Sequence, residues 1–375
     1  MMFVGKRKII VFVRNKLITL DTVLPMLIEM KDKYNVSSEI VVFNEIAHNA
    51  IEKNVVIKDL INHVGQELFI TKGIKSKALR RVNVLLSLVN LIGGFIKGNK
   101  IIHFGHLDVW PLKIIALLFN KNVYQMQGTA YGFNYSLVNR ALKKRVHFPY
   151  PAGKNIILCT KYIENTKFHN VGIEKKIYLF AEPRTRQSFV HYINLQSDYY
   201  FNKYHPNIDV SNGCIVFILG TIDGLEHKYK LFHSTMKVLS NNIHSIPVLL
   251  KPHAYTEMDT VKKSIEGLDL FHITYLHPSI LATKARVFIS NNFSNTFADA
   301  HSFGVETVEY ACYKPEVLKI TNDKSVEEKF VDYFIHDNEE DFSSVMSGIA
   351  CQKYKEPSFS GHDRDSNDLF ESMIK

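Results

Sequence analysis

The segment Pro247–Glu257, PVLLKPHAYTE, turns from apolar to polar within a few residues and is the clearest indication of how the chain folds. Its apolar run, Val-Leu-Leu, is short and is followed directly by Lys251, Pro252 and His253. A continuous apolar run of this kind is typical of a strand that is buried on both faces, as in a parallel sheet. The polar residues that follow are then expected at the carboxyl edge of the sheet, where open α/β folds bind their ligands.

The same pattern recurs along the whole chain. Short runs rich in Val and Ile alternate with longer segments in which apolar residues recur every three or four positions, such as LDTVLPMLIEMKDKY. This alternation predicts parallel sheets with crossover helices, arranged as two Rossmann-like doubly wound α/β domains facing a cleft. The predicted strands are KIIVFV, SEIVVFN, ELFIT, KIIHFG, NVYQMQ, NIILCT and IYLFA in the first half, and CIVFILG, IPVLLKPH, FHITYLH, RVFISN and VETVEYA in the second.

A change of composition separates the two series of strands. The stretch from Arg184 to Asn212 is aromatic and polar and has no clean period. A length of 375 residues also exceeds the usual size of one compact core. We therefore expect an N-terminal domain over residues 1–185, a connection over 186–212, and a C-terminal domain over 213–375. The final polar stretch is expected to be either a mobile tail or a terminal helix packed loosely on the first domain.

Composition and charge limit the classes of partner. The chain is 46% hydrophobic and 22% charged, as in an ordinary globular protein. Its net charge of +9 favours phosphorylated small molecules, anionic lipid or nucleic acid. No zinc-finger spacing and no aromatic RNA-recognition motif occurs in the sequence, so we expect no nucleic acid partner. Four scattered cysteines, a first strand in place of a signal peptide, and no run of about 18 apolar residues predict a cytoplasmic protein.

Small and polar residues cluster directly after three predicted strands of the second half. Glycine lets backbone amides approach an anion closely, and a helix that starts with hydroxyl and amide side chains offers further donors. Such a helix is expected to run to about Ser302 and to stop at Gly304. A turn, a structural histidine and a simple helix cap would each explain one cluster alone. Together they predict an anion site made of Gly220, Thr221, Lys251, His253, Ser290, Asn292, Ser294, Asn295 and Thr296.

The order of these motifs resembles the donor domain of GT-B glycosyltransferases. It is most similar to bacterial surface-polysaccharide enzymes with CMP- or CDP-activated donors, namely the sialyl-, polysialyl- and Kdo transferases and the CDP-glycerol polymerases. Those families carry His-Pro, whereas Ala254 follows His253 here, and SNNFSNT stands in place of their paired serines. The resemblance implies that the C-terminal domain binds a nucleotide-sugar and that the N-terminal domain binds the acceptor.

A second resemblance lies in the first half, in NVYQMQGTAYGFNY. This segment is similar to the turn that holds the catalytic histidine or carboxylate of those families. Gln127 stands at that position, before Gly128 and Thr129. Because glutamine cannot take up a proton, the resemblance implies an acceptor-side role for these three residues but no general base.

A candidate base lies upstream, in IIHFGHLDVWP. His103, His106 and Asp108 follow a predicted strand, and Asp108 or a histidine could deprotonate an acceptor hydroxyl. Alternatively, the histidines are turn residues and Asp108 caps a helix that begins near Pro111. We place Asp108 ahead of His106 as the base, with His103 on the acceptor side. His253 is the third candidate catalytic residue and is expected to matter more for turnover than for folding.

The segment KGIKSKALRRVNVLLSLVNLIGGFIKGNK joins a basic opening to a broad apolar stretch. One interpretation is an amphipathic helix that rests on anionic lipid and suits a lipid-linked acceptor at the inner face of the plasma membrane. The other interpretation is a buried crossover helix whose apolar face is covered by its neighbours.

Three functions are compatible with this sequence. The first is a glycosyltransferase that moves a sugar from a CMP-linked donor, such as a sialic acid or Kdo type, to a cell-surface glycan or lipid-linked glycan, with no metal and no cofactor. The second keeps the fold but is a polyol-phosphate transferase or a nucleotide-sugar epimerase. The third is a non-catalytic anion- or RNA-binding protein. Candidate carboxylates for an epimerase are Asp223, Glu226, Glu306 and Glu309.

Overall fold

The structure, a computed structural model, describes residues 8–13, 17–70, 76–108, 112–127, 150–161, 163, 166, 168, 171, 172, 174–220, 226–253, 256–359 and 366–375. Within these ranges the chain forms two compact α/β units, each with its own sheet. The first unit holds the described residues up to 127, those from 150 to 189 and those from 366 to 375. The second holds the described residues from 190 to 359.

The first unit is built on seven parallel strands. They are Lys8–Val13 (β1), Ser37–Val42 (β2), Gly65–Phe69 (β3), Lys100–His103 (β4), Val123–Met126 (β5), Asn155–Leu158 (β6) and Lys176–Leu179 (β7). The sheet order is β3-β2-β1-β4-β5-β6-β7, with every neighbouring pair parallel. The order reverses between β1 and β4, as in a doubly wound fold. Strands β4, β5 and β6 are buried at every position because the sheet is covered on both faces.

Helices connect these strands in the described part of the unit. They are Leu17–Tyr34 (α1), Glu45–Lys53 (α2), Val55–Val64 (α3), Lys77–Ile96 (α4) and Lys113–Leu118 (α5). Phe95 of α4 and Ile115 of α5 share one core cluster with Ile10, Phe12 and other residues of the sheet. Helices α4 and α5 therefore cover the same face.

The second unit repeats this plan with six parallel strands. They are Cys214–Ile218 (β8), Val248–Lys251 (β9), Phe271–Ile273 (β10), Ala285–Ser290 (β11), Glu306–Ala311 (β12) and Tyr333–His336 (β13). The sheet order is β10-β9-β8-β11-β12-β13, and it reverses between β8 and β11. Each half of the chain is thus a doubly wound α/β domain, which confirms the predicted fold class.

The helices of this second part follow the same alternation. They are Gln187–Tyr204 (α6), Glu226–Asn242 (α7), Met258–Ser264 (α8), Pro278–Ala282 (α9), Phe297–Ser302 (α10), Pro315–Thr321 (α11) and Glu339–Cys351 (α12). Helix α6 fills most of the predicted connection. Helix α10 ends as predicted, with Gly304 at a φ of +66°. Among the described helices, none combines the length and the apolar character needed to cross a bilayer.

The carboxyl terminus differs from the predicted domain boundary. Residues 366–375, which contain the helix Asn367–Ile374 (α13), belong to the first unit and not to the second. The Phe370 ring lies 6.1 Å from Phe180 and 5.6 Å from Tyr34, measured between ring centres. The Tyr124 hydroxyl donates to the Ser372 carbonyl at 3.0 Å. Of the two expectations for this stretch, the structure therefore has the terminal helix on the first domain and not the mobile tail.

A buried ion pair fixes the end of the first unit. Arg186 donates to the Glu29 carboxylate at 2.7 to 3.0 Å through two of its nitrogens, and both side chains are only 1% exposed. The guanidinium also lies 4.6 Å from the centre of the Phe180 ring. Because both charges are removed from water, the pair is stable only while both partners are present.

Breaking this pair should therefore cost much more than breaking an exposed one. We expect Glu29→Gln to lower the free energy of unfolding by about 3–5 kcal/mol, because it leaves the Arg186 charge buried without its partner. Urea unfolding measures this change, and Glu328→Gln, which breaks the exposed pair with Lys324, should have little effect. The double change Glu29→Leu with Arg186→Met should recover much of the loss. Equal effects of the two single changes would contradict this account.

Candidate functional site

The candidate site of the second unit lies along the carboxyl edge of its sheet. Ile218 at the end of β8 is in register with Lys251 of β9 on one side and with Ser290 of β11 on the other. Ser290 is in turn in register with Glu309 of β12. Neighbouring strands lie about 4.8 Å apart, so Lys251 and Ser290 are roughly 10 Å apart. Two of the predicted clusters thus lie on either side of the strand that leads to Gly220.

Thr256 ties two of the predicted turns together. Its hydroxyl accepts from the His253 backbone N–H at 2.8 Å and donates to the Gly220 carbonyl at 3.0 Å. The backbone N–H of Thr256 donates to the His253 carbonyl at 3.0 Å, which closes the turn after β9. Sequence reasoning missed this residue, although a threonine three positions after His253 in a turn is a known signal for a side-chain to backbone bond.

Lys251 and His253 make this edge electropositive. Lys251 is half-buried, and its Nζ lies 6.0 Å from the ring centre of Tyr275, an exposed side chain that sequence reasoning also missed. Partial desolvation of the ring, and then the nearby Lys251 ammonium, lower the pKa of His253. The exposed imidazole is therefore mainly neutral at pH 7 and can donate a hydrogen bond, while Lys251 supplies the positive charge.

The loop after β11 presents hydroxyl and amide groups. The Ser294 and Thr296 hydroxyls are 2.9 Å apart, and Ser294 Oγ accepts from the Thr296 backbone N–H at 3.3 Å. Asn292 is exposed, whereas Asn295 is half-buried. Asn291, which was not among the predicted residues, is buried and donates to the Thr235 hydroxyl at 2.7 Å and to the Tyr310 carbonyl at 3.2 Å. It thereby anchors the loop to the core.

Glu309 contacts the same loop from the core of the second unit. It is fully buried and accepts hydrogen bonds from the Tyr313 hydroxyl and, at 2.6 Å, from the Ser325 hydroxyl. Burial raises the pKa of Glu309 to about 7, while bonds from Ser325, Tyr313 and the Phe293 backbone N–H act in the opposite direction. Because Phe293 belongs to the loop, Glu309 links the loop of the candidate site to the core.

The predicted residues of the first unit are tied into its core. Asp108 is 7% exposed; one carboxylate oxygen accepts from the Gln125 amide and the other from the Ala152 backbone N–H, each at 2.7 Å. Gln127 is also buried and accepts from the Cys159 backbone N–H at 2.8 Å. These contacts give Asp108 and Gln127 a bracing role between strands, which sequence reasoning did not foresee.

The two histidines of this unit differ in exposure. His103 is fully buried at the end of β4, where its Nδ1 accepts from the Gly105 and Leu107 backbone N–H groups at 3.2 and 3.3 Å. His106 is half-buried, and its ring centre lies 6.5 Å from that of Phe43. Of the two candidate bases, Asp108 and His106, and the predicted acceptor-side residue His103, only His106 is thus more than marginally exposed.

Three predicted site residues, Thr221, Gly128 and Thr129, lie outside the described residues. In the part of the chain that is described, one group has the residue types and spacing of a metal site: His48, Glu52 and Glu67 of the first unit. His48 pairs with Glu67 at 2.7 Å between Nδ1 and the carboxylate, and Glu52 pairs with Lys58. These side chains therefore already have charged partners within the protein.

Comparison with known proteins gives a fold but no family. No protein-family model matches the sequence, and no curated protein matches it either. The structure is similar to the UDP-GlcNAc 2-epimerase from Neisseria meningitidis bound to UDP-GlcNAc, with a TM-score of 0.55 and 12% identity over 98% of this chain and 99% of that chain. It is also similar to the Methanocaldococcus jannaschii UDP-GlcNAc 2-epimerase in complex with UDP-GlcNAc and UDP, with a TM-score of 0.54 and 13% identity over 94% and 96%.

A glycosyltransferase from Rickettsia africae matches over 92% of this chain and 88% of that chain, with a TM-score of 0.49 and 12% identity. At such low identities these likenesses concern the fold. The chain therefore shares its fold, a pair of parallel α/β domains, with the two UDP-GlcNAc 2-epimerases.

The pKa of Glu309 generates a test of how the loop is held. The ordinary pKa of the group is 4.5, so between pH 4.5 and about 7 the unfolded chain has released a proton that the folded chain keeps. The contribution of Glu309 to stability is therefore fully present below pH 4.5 and falls as the pH rises, by up to about 3 kcal/mol.

We expect Glu309→Gln to remove this pH dependence. The free energy of unfolding of the unchanged protein, measured relative to the variant, should fall as the pH rises from about 5 to 7.5. Urea unfolding at several pH values measures the difference, and Glu306, whose pKa is also raised, is present in both proteins and cancels. A difference that stays constant with pH would contradict the assignment.

Proposed function

We propose that the protein is a glycosyltransferase that binds a nucleotide-activated sugar at the carboxyl edge of the second sheet. The supporting observation is the strand register, in which Lys251 and Ser290 flank Ile218 at the reversal of strand order. The turn at Gly220 is tied to the turn at His253 through Thr256. This is the position at which open α/β sheets bind their ligands.

Each part of the site has a task in this proposal. Lys251 offsets the charge of the donor phosphate, and neutral His253 donates a hydrogen bond to it. The loop after β11 adds donors from Asn292, Asn295 and the hydroxyls of Ser294 and Thr296. As the sugar leaves, negative charge develops on the nucleotide, and donors fixed in advance stabilise that charge most. Because the lysine and these donors supply the electrostatics, the proposal needs no metal ion.

The acceptor side of the proposal rests on the first unit. We assign the general base to His106 and not to Asp108, because both oxygens of the Asp108 carboxylate accept hydrogen bonds within the core. In this proposal the half-buried His106 imidazole takes up the proton of the acceptor hydroxyl. Asp108 then acts as a positioning residue that braces the segment between His106 and β5.

The sequence supports a more specific proposal for the chemical class of the donor sugar and of the acceptor. The KPH motif resembles that of surface-polysaccharide enzymes with CMP-linked donors, which favours a sugar of the sialic acid or Kdo type. The acceptor would be a glycan or a lipid-linked glycan of capsule or lipopolysaccharide synthesis, met at the inner face of the plasma membrane. The exposed apolar residues of α4 are compatible with an acceptor held near lipid.

A nucleotide-sugar epimerase is the second candidate, because the two structures with TM-scores of 0.54 and 0.55 are UDP-GlcNAc 2-epimerases. The described carboxylates do not favour it. Glu309 is fully buried, and Glu306 lies at the amino end of β12, away from the candidate site. Glu226, at the start of α7, is the exposed carboxylate that remains among the predicted residues that the structure describes.

The nucleotide site is tested by thermal shift with CMP, CDP, UDP and GDP. We expect one of these nucleotides to stabilise the protein selectively. Lys251→Met and His253→Ala should each weaken the binding of that nucleotide by roughly tenfold or more, because each removes a phosphate contact. Matched controls are Lys263→Met and His244→Ala, which change exposed residues at the opposite edge of the same sheet. Equal stabilisation by every anion, or equal effects of the control changes, would contradict the proposal.

Turnover separates the two enzymatic candidates. The protein is incubated with CMP-linked sugars and with UDP-GlcNAc, first without and then with a glycan acceptor. A transferase should release nucleotide only when the acceptor is present, whereas an epimerase would convert its substrate without one. Conversion of UDP-GlcNAc alone would favour the second candidate.

A further inference from the structure

One segment of the first unit is strongly basic. Nine of the 46 basic residues and one of the 37 acidic residues lie between positions 71 and 123, so this segment carries a net charge of +8. The single acidic residue, Asp108, is buried and hydrogen-bonded. The nine basic residues are Lys72, Lys75, Lys77, Arg80, Arg81, Lys97, Lys100, Lys113 and Lys121.

Helix α4, inside this segment, exposes an apolar stripe. Leu79, Val82, Leu86 and Val89 are 61%, 51%, 57% and 64% exposed. Their spacing of three, four and three residues puts them on one side of the helix. An amphipathic helix of an ordinary sheet protein turns such a stripe toward the core. The described stripe of α4 instead faces away from it.

Polar residues of the same helix lie beside this stripe, on the side nearer the sheet. Asn83, Ser87 and Asn90 line a cavity of about 330 Å³ together with sheet residues such as Val41 and Ile70. The Asn83 amide donates to the Ile70 carbonyl. Among the α4 side chains that the structure describes, Asn83 and Ser87 thus line the cavity beside the sheet, while the four Leu and Val residues of the stripe meet solvent.

Helix α5 enlarges the apolar surface. Ile114, Leu117 and Leu118 are 42%, 61% and 70% exposed. The rings of Phe95, near the end of α4, and Phe119, directly after α5, stack with their centres 4.5 Å apart, so the ends of the two helices are neighbours. Seven of the thirteen exposed Leu, Ile and Val side chains in the described part of the chain lie on these two helices. Exposed aliphatic residues are usually scattered singly, so this clustering marks an interaction surface.

We propose that this surface, formed by α4 and α5 of the first unit, docks on a membrane rich in anionic phospholipid. The seven apolar side chains enter the boundary between headgroups and acyl chains, and the accessible basic side chains that the structure describes beside them, Lys97, Lys113 and Lys121, are attracted to the lipid phosphates. Helix α4 lies in the plane of the membrane. This inference goes beyond the proposed transferase activity and does not depend on it.

Charge and apolar character together select this partner over others. An RNA would neutralise the basic residues but would leave the apolar stripe in water. A second copy of the chain would cover the stripe but would bring together two segments that each carry +8. An anionic membrane satisfies both properties of the surface.

Vesicle binding of the full chain tests the proposal. Flotation with vesicles of phosphatidylcholine alone and of phosphatidylcholine with about 30% phosphatidylglycerol should show binding to the anionic vesicles only, weakened by salt. The double change Leu86→Ser with Val89→Ser should weaken this binding about tenfold or more, because two apolar contacts are lost. Leu195→Ser, on the exposed side of α6 in the second unit, is the matched control and should bind normally.

Any of three other outcomes would overturn the proposal. Unchanged binding of the double variant would mean that the apolar stripe does not insert. Binding to a single-stranded RNA but not to vesicles would assign the basic segment to nucleic acid, and a stable dimer without vesicle binding would assign the stripe to a second copy. Leu86, Val89 and Leu195 are all exposed. Equal unfolding temperatures for the unchanged protein, the double variant and the Leu195→Ser control would exclude misfolding as the cause of weaker binding. None of these readouts involves a nucleotide-sugar, so they are independent of the outcome for catalysis.

Discussion

The parallel register of four strands, β9, β8, β11 and β12, is the constraint on which the candidate site depends. Because parallel strands all end at the same edge, the backbone hydrogen bonds that pair Lys251, Ile218, Ser290 and Glu309 also bring their following turns together. The site then needs few additional contacts. Thr256 joins two of the turns, and Asn291 and Glu309 hold the third from the core side.

The sequence predicted the parts of this arrangement that local pattern controls. Buried parallel strands are continuous apolar runs, so both sheets and the polar residues after each strand could be recognised. Residues whose roles come from distant contacts could not be recognised in the same way. Asp108 and Gln127 looked like strand-end site residues, yet their side chains bind Gln125, Ala152 and Cys159 in the core. The final helix was one of two alternatives expected for the carboxyl terminus, and only its individual contacts, with side chains more than 150 positions away, were not predictable.

The net charge also has a different meaning in the structure than in the composition. An excess of +9 suggested a phosphorylated ligand, but the first 185 residues carry 28 basic and 12 acidic residues, whereas residues 186–375, which hold the candidate nucleotide site, carry 18 basic and 25 acidic residues. The candidate nucleotide site in the second unit has one lysine and a histidine whose pKa is lowered, so its affinity for an anion would come from a few placed donors. Overall charge and site chemistry are therefore separate properties of this protein, one suited to a surface and the other to a small ligand.

Hydrogen–deuterium exchange with and without a saturating nucleotide tests the central claim most directly, because it reports which backbone segments the ligand covers. The account predicts slower exchange in peptides that contain Gly220, His253 and Thr296, and no change in the segment around His244 at the opposite edge of the sheet. Slower exchange elsewhere, with these three segments unaffected although the nucleotide is bound, would contradict the account.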